Sequence, residues 1–249
     1  MRNLLLVSSS LVILTACSSV ESNVVDTAGM YANFAAVAGG TGTTEVMAEL
    51  LLGENSLDFV KLEGGDMLRA YMIHPVTFAE TEVMMSEYLF GGATWYKASF
   101  ATQETNTGFR INFDRSASGK VSAPASSTTL PVPFVLSTSP TTTTFSRSGT
   151  TAFNVYWDPY AFVTGDLLSY EVSGSCIQTS RGGINWQNGI DTLQLAQSFL
   201  LAAQGQETNT CNVTVKISLS RNGTVDRAFG KTGVFPGVQE RTLSLSCTP

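Results

Sequence analysis

The residues able to do chemistry are few and scattered. The sequence has one histidine, His74, next to Pro75 inside an apolar run. A Ser-His-Asp triad or a Cys-His pair would have to run through it, and no serine sits in the strand-turn-helix elbow that presents a nucleophile. His74 therefore reads as a strand-end residue making a local hydrogen bond. Zinc needs three or four His or Cys ligands at tight spacing, and the sequence offers no such group. Glycoside hydrolysis needs two carboxylates flanking a cleft. Glu63 with Asp66, Glu80 with Glu82, and Asp226 near Asn222 are the nearest approaches. Asp and Asn favour turns for backbone reasons, so these read as solvated turn residues. None has EF-hand spacing for calcium. Gly39-Gly40-Thr41-Gly42 precedes no helix, which removes a phosphate-binding reading. No catalytic residue, metal ligand or cofactor is expected. Aromatic clusters are the more suggestive feature. Adjacent aromatics in a strand point to opposite faces, so Tyr88, Trp95, Tyr156 and Tyr160 are candidate ligand-facing residues for a glycan or a protein.

The N-terminus carries an address. Arg2 precedes an apolar stretch from Leu4 to Leu14, broken by Ser8, Ser9 and Ser10. The stretch is shorter than the roughly 20 apolar residues a bilayer-spanning helix needs, and it matches a signal-peptide h-region. Leu14-Thr15-Ala16-Cys17 resembles the bacterial lipobox. The resemblance implies a signal peptide over residues 1–16, a diacylglyceryl group on Cys17, and attachment to a membrane through that lipid. Ser18, rather than aspartate, implies the outer membrane in a Gram-negative envelope. Several acyl chains hold a protein firmly where one holds it weakly. Residues 17–28 then read as a small, polar tether.

The 249 residues include 43% hydrophobic and only 14% charged residues, with 22 glycines and 14 phenylalanines. The low charge and the abundance of Thr, Ser and Gly fit a secreted β-protein. A net charge of −6 without basic runs excludes nucleic acid as a partner and gives no electrostatic hold on anionic lipid. Alternating apolar residues with turn signals every eight to twelve positions predict an all-β chain of two β-sandwich domains in tandem. The first is expected over 29–115. The Ser-, Ala- and Pro-bearing stretch 116–128 reads as a linker, and 129–249 as the second domain. Within the latter, Cys211 to Leu219 alternates most cleanly, and Asn222-Gly223 reads as its turn. Asp191 to Ala203 matches both a capped helix and a strand.

Trp157-Asp158-Pro159, then Ser169-Tyr170-Glu171-Val172, look like the second and third strands of a fibronectin type III domain. Cys211–Leu219 looks like the sixth strand and Thr242–Ser246 like the seventh. The resemblance implies an immunoglobulin-like sandwich. Its topology makes the third and sixth strands antiparallel neighbours, which implies a Cys176–Cys211 disulfide. With Cys17 lipidated, Cys247 would be left as a free thiol. The resemblance implies nothing about activity. The expected function is that of a non-enzymatic envelope lipoprotein, a binding or structural module at the membrane whose partner is an envelope protein or a glycan. The alternatives are a polysaccharide-active hydrolase or its carbohydrate-binding accessory, and a surface adhesin.

Overall fold

Alternation becomes architecture in β2 (Tyr31–Ala38), where every second residue is buried and the others are half-exposed. Such a strand hides one face and keeps the other near water. In the computed structural model, residues 19–116, 119–149, 153–159, 162–186, 190, 192–195, 200–230 and 233–249 are described. Among the described residues the structure is nearly all β, with 57% strand and no helix of seven or more residues. Cys17 and the lipobox lie outside the described residues, as does Tyr160.

The first half contributes β1 (Ser19–Glu21), β2, β3 (Thr44–Leu51), β4 (Phe59–Lys61), β5 (Met67–Ile73), β6 (Glu80–Met84), β7 (Ser86–Phe90), β8 (Ala93–Phe100), β9 (Gly108–Asp114) and β10 (Ala123–Thr129). Antiparallel β2, β3, β8 and β7 form one layer. The order β10-β9-β5-β6 forms the facing layer. Between them sit Phe34, Val46, Leu50, Leu68, Phe109, Ile111 and Phe113. The run Val83 to Leu89 spans two strands. Met85, only 6% exposed, enters the core and breaks it, so β6 pairs with β5 in one layer and β7 with β8 in the other.

The second half contributes β11 (Val135–Ser139), β12 (Thr144–Ser146), β13 (Phe153–Asp158), β14 (Leu167–Gly174), β15 (Ser180–Ile184), β16 (Thr192–Leu195), β17 (Cys211–Asn222), β18 (Gly233–Val234) and β19 (Pro236–Thr248). One layer is β11-β13-β16, and the other runs β15-β14-β17-β19 with β12 parallel to β19. β14 and β17 are antiparallel neighbours, the relation the fibronectin type III resemblance implied. The Cys176–Cys211 disulfide joins their ends. Trp157, Val155, Val215 and Ile217 fill the space between the layers. Thr192–Leu195 is strand, paired with β13. Over these four residues the strand reading holds, because Leu193 and Leu195 both face this core, as a period of two requires, while residues 191 and 196–199 of the helical pattern lie outside the described residues.

Three expectations change. Of the expected tether 17–28, the described residues 19–28 are packed chain. β1 lies parallel to β4, and Ser22 and Thr27 are 0% and 2% exposed. The fully buried Arg115 guanidinium holds them, donating to Asp66 (2.8 Å), to the Ser22 and Val25 carbonyls and to Thr27. Nor is 116–128 simply a linker, because Ala123–Thr129 pairs with β9. Its small side chains let Ala123, Ser126 and Thr128 tuck under the layer. Finally, Asn222-Gly223 does not fold β17 straight back. The chain leaves the second half, bonds to Ser127 at Thr224, and buries Phe229 and Phe235 in the first core. Phe229 meets Phe34 edge-on at 5.8 Å and stacks on Phe113 at 6.0 Å. The chain then returns along β2 as β18 and the start of β19.

β19 is therefore shared. Gly237–Gln239 pairs with β2 on one side and with the end of β17 on the other, and the strand then runs on through the second half. One continuous sheet crosses both sandwiches. Gly237 permits the junction, since a Cβ there would overlap the Thr129 carbonyl of β10.

Candidate functional site

The junction of the two halves holds a cleft of about 440 Å³. Three pieces of chain meet there because Ile73, Gly108 and Thr129 end their strands in register at this end of the first sandwich. Asn222 and Gly223 arrive from β17. One wall is the loop between β5 and β6. Its geometry comes from His74, whose backbone N–H donates to Ala79 O (3.0 Å) and whose carbonyl accepts from Phe78 N (3.0 Å). The His74 Nδ1 accepts from the N–H groups of Val76 and Thr77, both at 3.2 Å. His74 is thus a turn-holding residue with a local hydrogen bond.

That loop presents Phe78 at the rim, 74% exposed and with φ of 56°. A bulky side chain rarely adopts the left-handed region, and here the closed turn imposes it. Across the cleft, Asn106 accepts from Arg221 at 2.8 Å through its side-chain oxygen. Thr128 is 5% exposed, and its hydroxyl has no hydrogen-bond partner. The lining contains no Asp, Glu, Lys or Arg. The cleft is neutral, with an aromatic rim, two carboxamides and a buried unsatisfied hydroxyl. Pockets at such junctions bind through apolar contact plus a few placed polar groups. Neither Phe78 nor Thr128 is marked by spacing in the sequence. The one signal is a large apolar residue inside a turn, Pro75-Val76-Thr77-Phe78, with no alternating partner.

A second hollow of about 640 Å³ lies beside Trp186. Its one carboxylate, Asp166, is held by Arg221 at 2.7 and 2.9 Å, and the Trp186 Nε1–H donates to the Asp166 carbonyl at 3.0 Å. Because Arg221 also reaches Asn106, this group ties the halves together.

The other sequence-selected residues lie apart. Tyr88 and Trp95 face each other across the β7–β8 hairpin, half-buried on its outer surface. Lys97 lies 5.9 Å from the Tyr88 ring and pairs with Glu45 at 2.7 Å. Burial pushes the Tyr88 phenol up. Tyr156 is on β13 in the second half, opposite Ser137 and Thr192. The carboxylates are each engaged locally. Asp66 binds Arg115, Glu80 grips Arg110 with both oxygens at 2.8 Å, and Glu82 meets Arg69 at 3.4 Å. Glu63 sits 3.6 Å from Lys61. Asp226 caps a short turn by accepting from Ala228 N at 2.8 Å. None of them lines the junction cleft. Among the described residues, no three His, Cys, Asp or Glu side chains form a metal-holding group.

No protein-family model matches the chain, and neither does a curated protein. Among solved structures, the adhesin InvE of Yersinia pseudotuberculosis is 9% identical, covering 89% of this chain and 59% of that one, with a TM-score of 0.22. Red sea bream transglutaminase is 10% identical, covering 88% of this chain and 31% of its own, with a TM-score of 0.20. The chain thus spans less than two thirds of either, and likeness at these scores transfers neither activity nor partner.

Proposed function

We propose that this protein is a lipid-anchored, non-enzymatic binding module of the bacterial cell envelope, and that the junction cleft takes a neutral glycan. The lipobox-like Leu14-Thr15-Ala16-Cys17 supports the anchor. The observation that carries the binding reading is the cleft itself, uncharged and rimmed by the exposed Phe78 ring. A sugar face stacks on an aromatic ring, while its hydroxyls need carboxamide and hydroxyl partners of the kind Asn106, Asn222 and Ser127 offer. An acidic ligand would find no lysine or arginine in the lining, and a cationic one no carboxylate.

The test is direct binding of the full chain to neutral and acidic oligosaccharides, with Phe78→Ala alongside. Aromatic contacts are each worth about 0.5–1.5 kcal/mol, so Phe78→Ala should weaken a neutral oligosaccharide by roughly 2- to 12-fold at about 1.4 kcal/mol per decade. Because Phe78 is exposed, thermal stability should not fall. Binding restricted to acidic sugars, or indifferent to both Phe78→Ala and Asn222→Ala, removes the reading.

A further inference from the structure

The lipid-bearing residue and the first fixed strand are nearly adjacent. Only Ser18 separates Cys17 from β1, which is locked in register Ser19↔Phe59 on β4. Two residues of chain reach about 7 Å at most. The end of the sandwich at which β1 starts can therefore not stand off from a surface that holds Cys17.

That same end carries exposed apolar side chains. Leu51 pairs with both Phe59 and Tyr31, so the 52–58 loop and the start of β2 lie there. Leu57, at 71% exposed, is in that loop. β8 runs antiparallel to β3 with Ala48↔Tyr96, which brings Ala93 and the Gly91-Gly92 turn level with Leu51. Leu89 and Phe90, at the tip of this hairpin, are 73% and 69% exposed. Immediately behind them stands the outward Tyr88–Trp95 pair. Tyr and Trp are the side chains suited to the level of lipid headgroups, with one apolar end and one wet end. Glu54, Asp58 and Glu87 at this end are acidic, and the nearest lysines, Lys97 and Lys61, pair with Glu45 and Glu63, so any hold on a membrane here is apolar rather than electrostatic.

We infer that Leu57, Leu89 and Phe90 seat in the surface of a zwitterionic bilayer beside the acylated Cys17, fixing the molecule upright with the cleft and the second sandwich pointing away. The inference rests on the lipidation of Cys17. β2 runs from this end, and β19 joins it in parallel at Ala36 and continues into the second half, so the seated end and the cleft lie at opposite ends of the first sandwich.

The experiment uses the full chain produced in lipidated form, with Cys17 checked by intact mass, in phosphatidylcholine vesicles containing a doxyl-labelled phosphatidylcholine. The indole of Phe90→Trp should shift to the blue and be quenched several-fold more than that of Leu201→Trp, which is 55% exposed on the second half. Leu89→Trp serves as a second position should the first variant misfold. Exchanging half the lipid for phosphatidylglycerol should not increase quenching. A lipidated protein whose Phe90→Trp and Leu89→Trp indoles are quenched no more than Leu201→Trp overturns the seating while leaving the anchor intact. Shielding from both doxyl lipid and aqueous iodide assigns the patch to a second copy and overturns it too. An intact mass without acyl groups removes the anchor, and the inference with it.

Discussion

The two sandwiches are closed by opposite means. In the second, nearly the whole wall comes from consecutive chain, and its far end is pinned by the Cys176–Cys211 bridge. In the first, the described residues form no disulfide. One side is filled by Phe229 and Phe235, brought back from beyond β17, and one end is held by the buried Asp66–Arg115 pair gripping residues 22–27. Both solve the problem of an open sandwich edge, one with a covalent link and the other with sequence-distant chain. The first core takes Phe229 and Phe235 from chain beyond β17, and the second takes Leu245 and Cys247 from β19 once that chain has returned, but only the second adds a covalent link.

The sharpest way to break this contrast is Phe229→Ala. The side chain is 0% exposed and packs on Phe34 and Phe113. Truncating a buried Phe costs about 3–5 kcal/mol. Amides of β2, β3 and β9 should lose hydrogen-exchange protection. Cys247, 0% exposed with its thiol pushed up by burial, belongs to the second core, and its alkylation should stay slow. Equal acceleration of both readouts would mean that the shared β19 makes one cooperative unit and that the contrast is false.

The converse variant, Cys176→Ala with Cys211→Ala, opens a loop with a sequence separation of 35. In the chain-entropy model its loss costs about 4 kcal/mol. Here Cys247 should become reactive at lower denaturant. The β2 and β3 amides should follow only when β17 opens, since Phe229 and Phe235 are carried beyond it.

The smallest effect is a pH dependence confined to the first sandwich. Glu49 is 7% exposed, and burial raises its pKa above the ordinary 4.5, against the opposing Asn33 amide. The folded state therefore favours the protonated form. Its contribution is full below pH 4.5 and is lost as pH rises through the folded value. Glu49→Gln should raise the unfolding midpoint at pH 7 and leave it unchanged at pH 3.5. A gain at both pH values would place the effect in packing rather than in charge.

Much of the second half was legible because its strands are consecutive and alternate. Val213, Val215, Ile217 and Leu219 face one core, as their spacing requires. The tether and linker readings failed for a physical reason. Ser, Ala and Thr look like solvent-facing chain, yet small residues are also what fits beneath a packed layer, as Ser22, Thr27 and Ser126 do. The junction cleft was illegible, since Phe78, Thr128 and Asn222 carry no common spacing and meet only through three strand registers.

By itself the sequence determined the all-β class, through alternation and turn chemistry, and the Leu-Thr-Ala-Cys tetrad on which the proposed anchor rests. Local patterns suffice there because period and turn residues act within a few positions. Only the tertiary structure decided that β19 serves both sandwiches, that Phe229 belongs to the first core, and that the β7–β8 tip shares an end with β1. Those facts depend on which distant strands exchange backbone hydrogen bonds, and Asn222-Gly223 reads the same whether the chain turns back at once or first crosses into its neighbour.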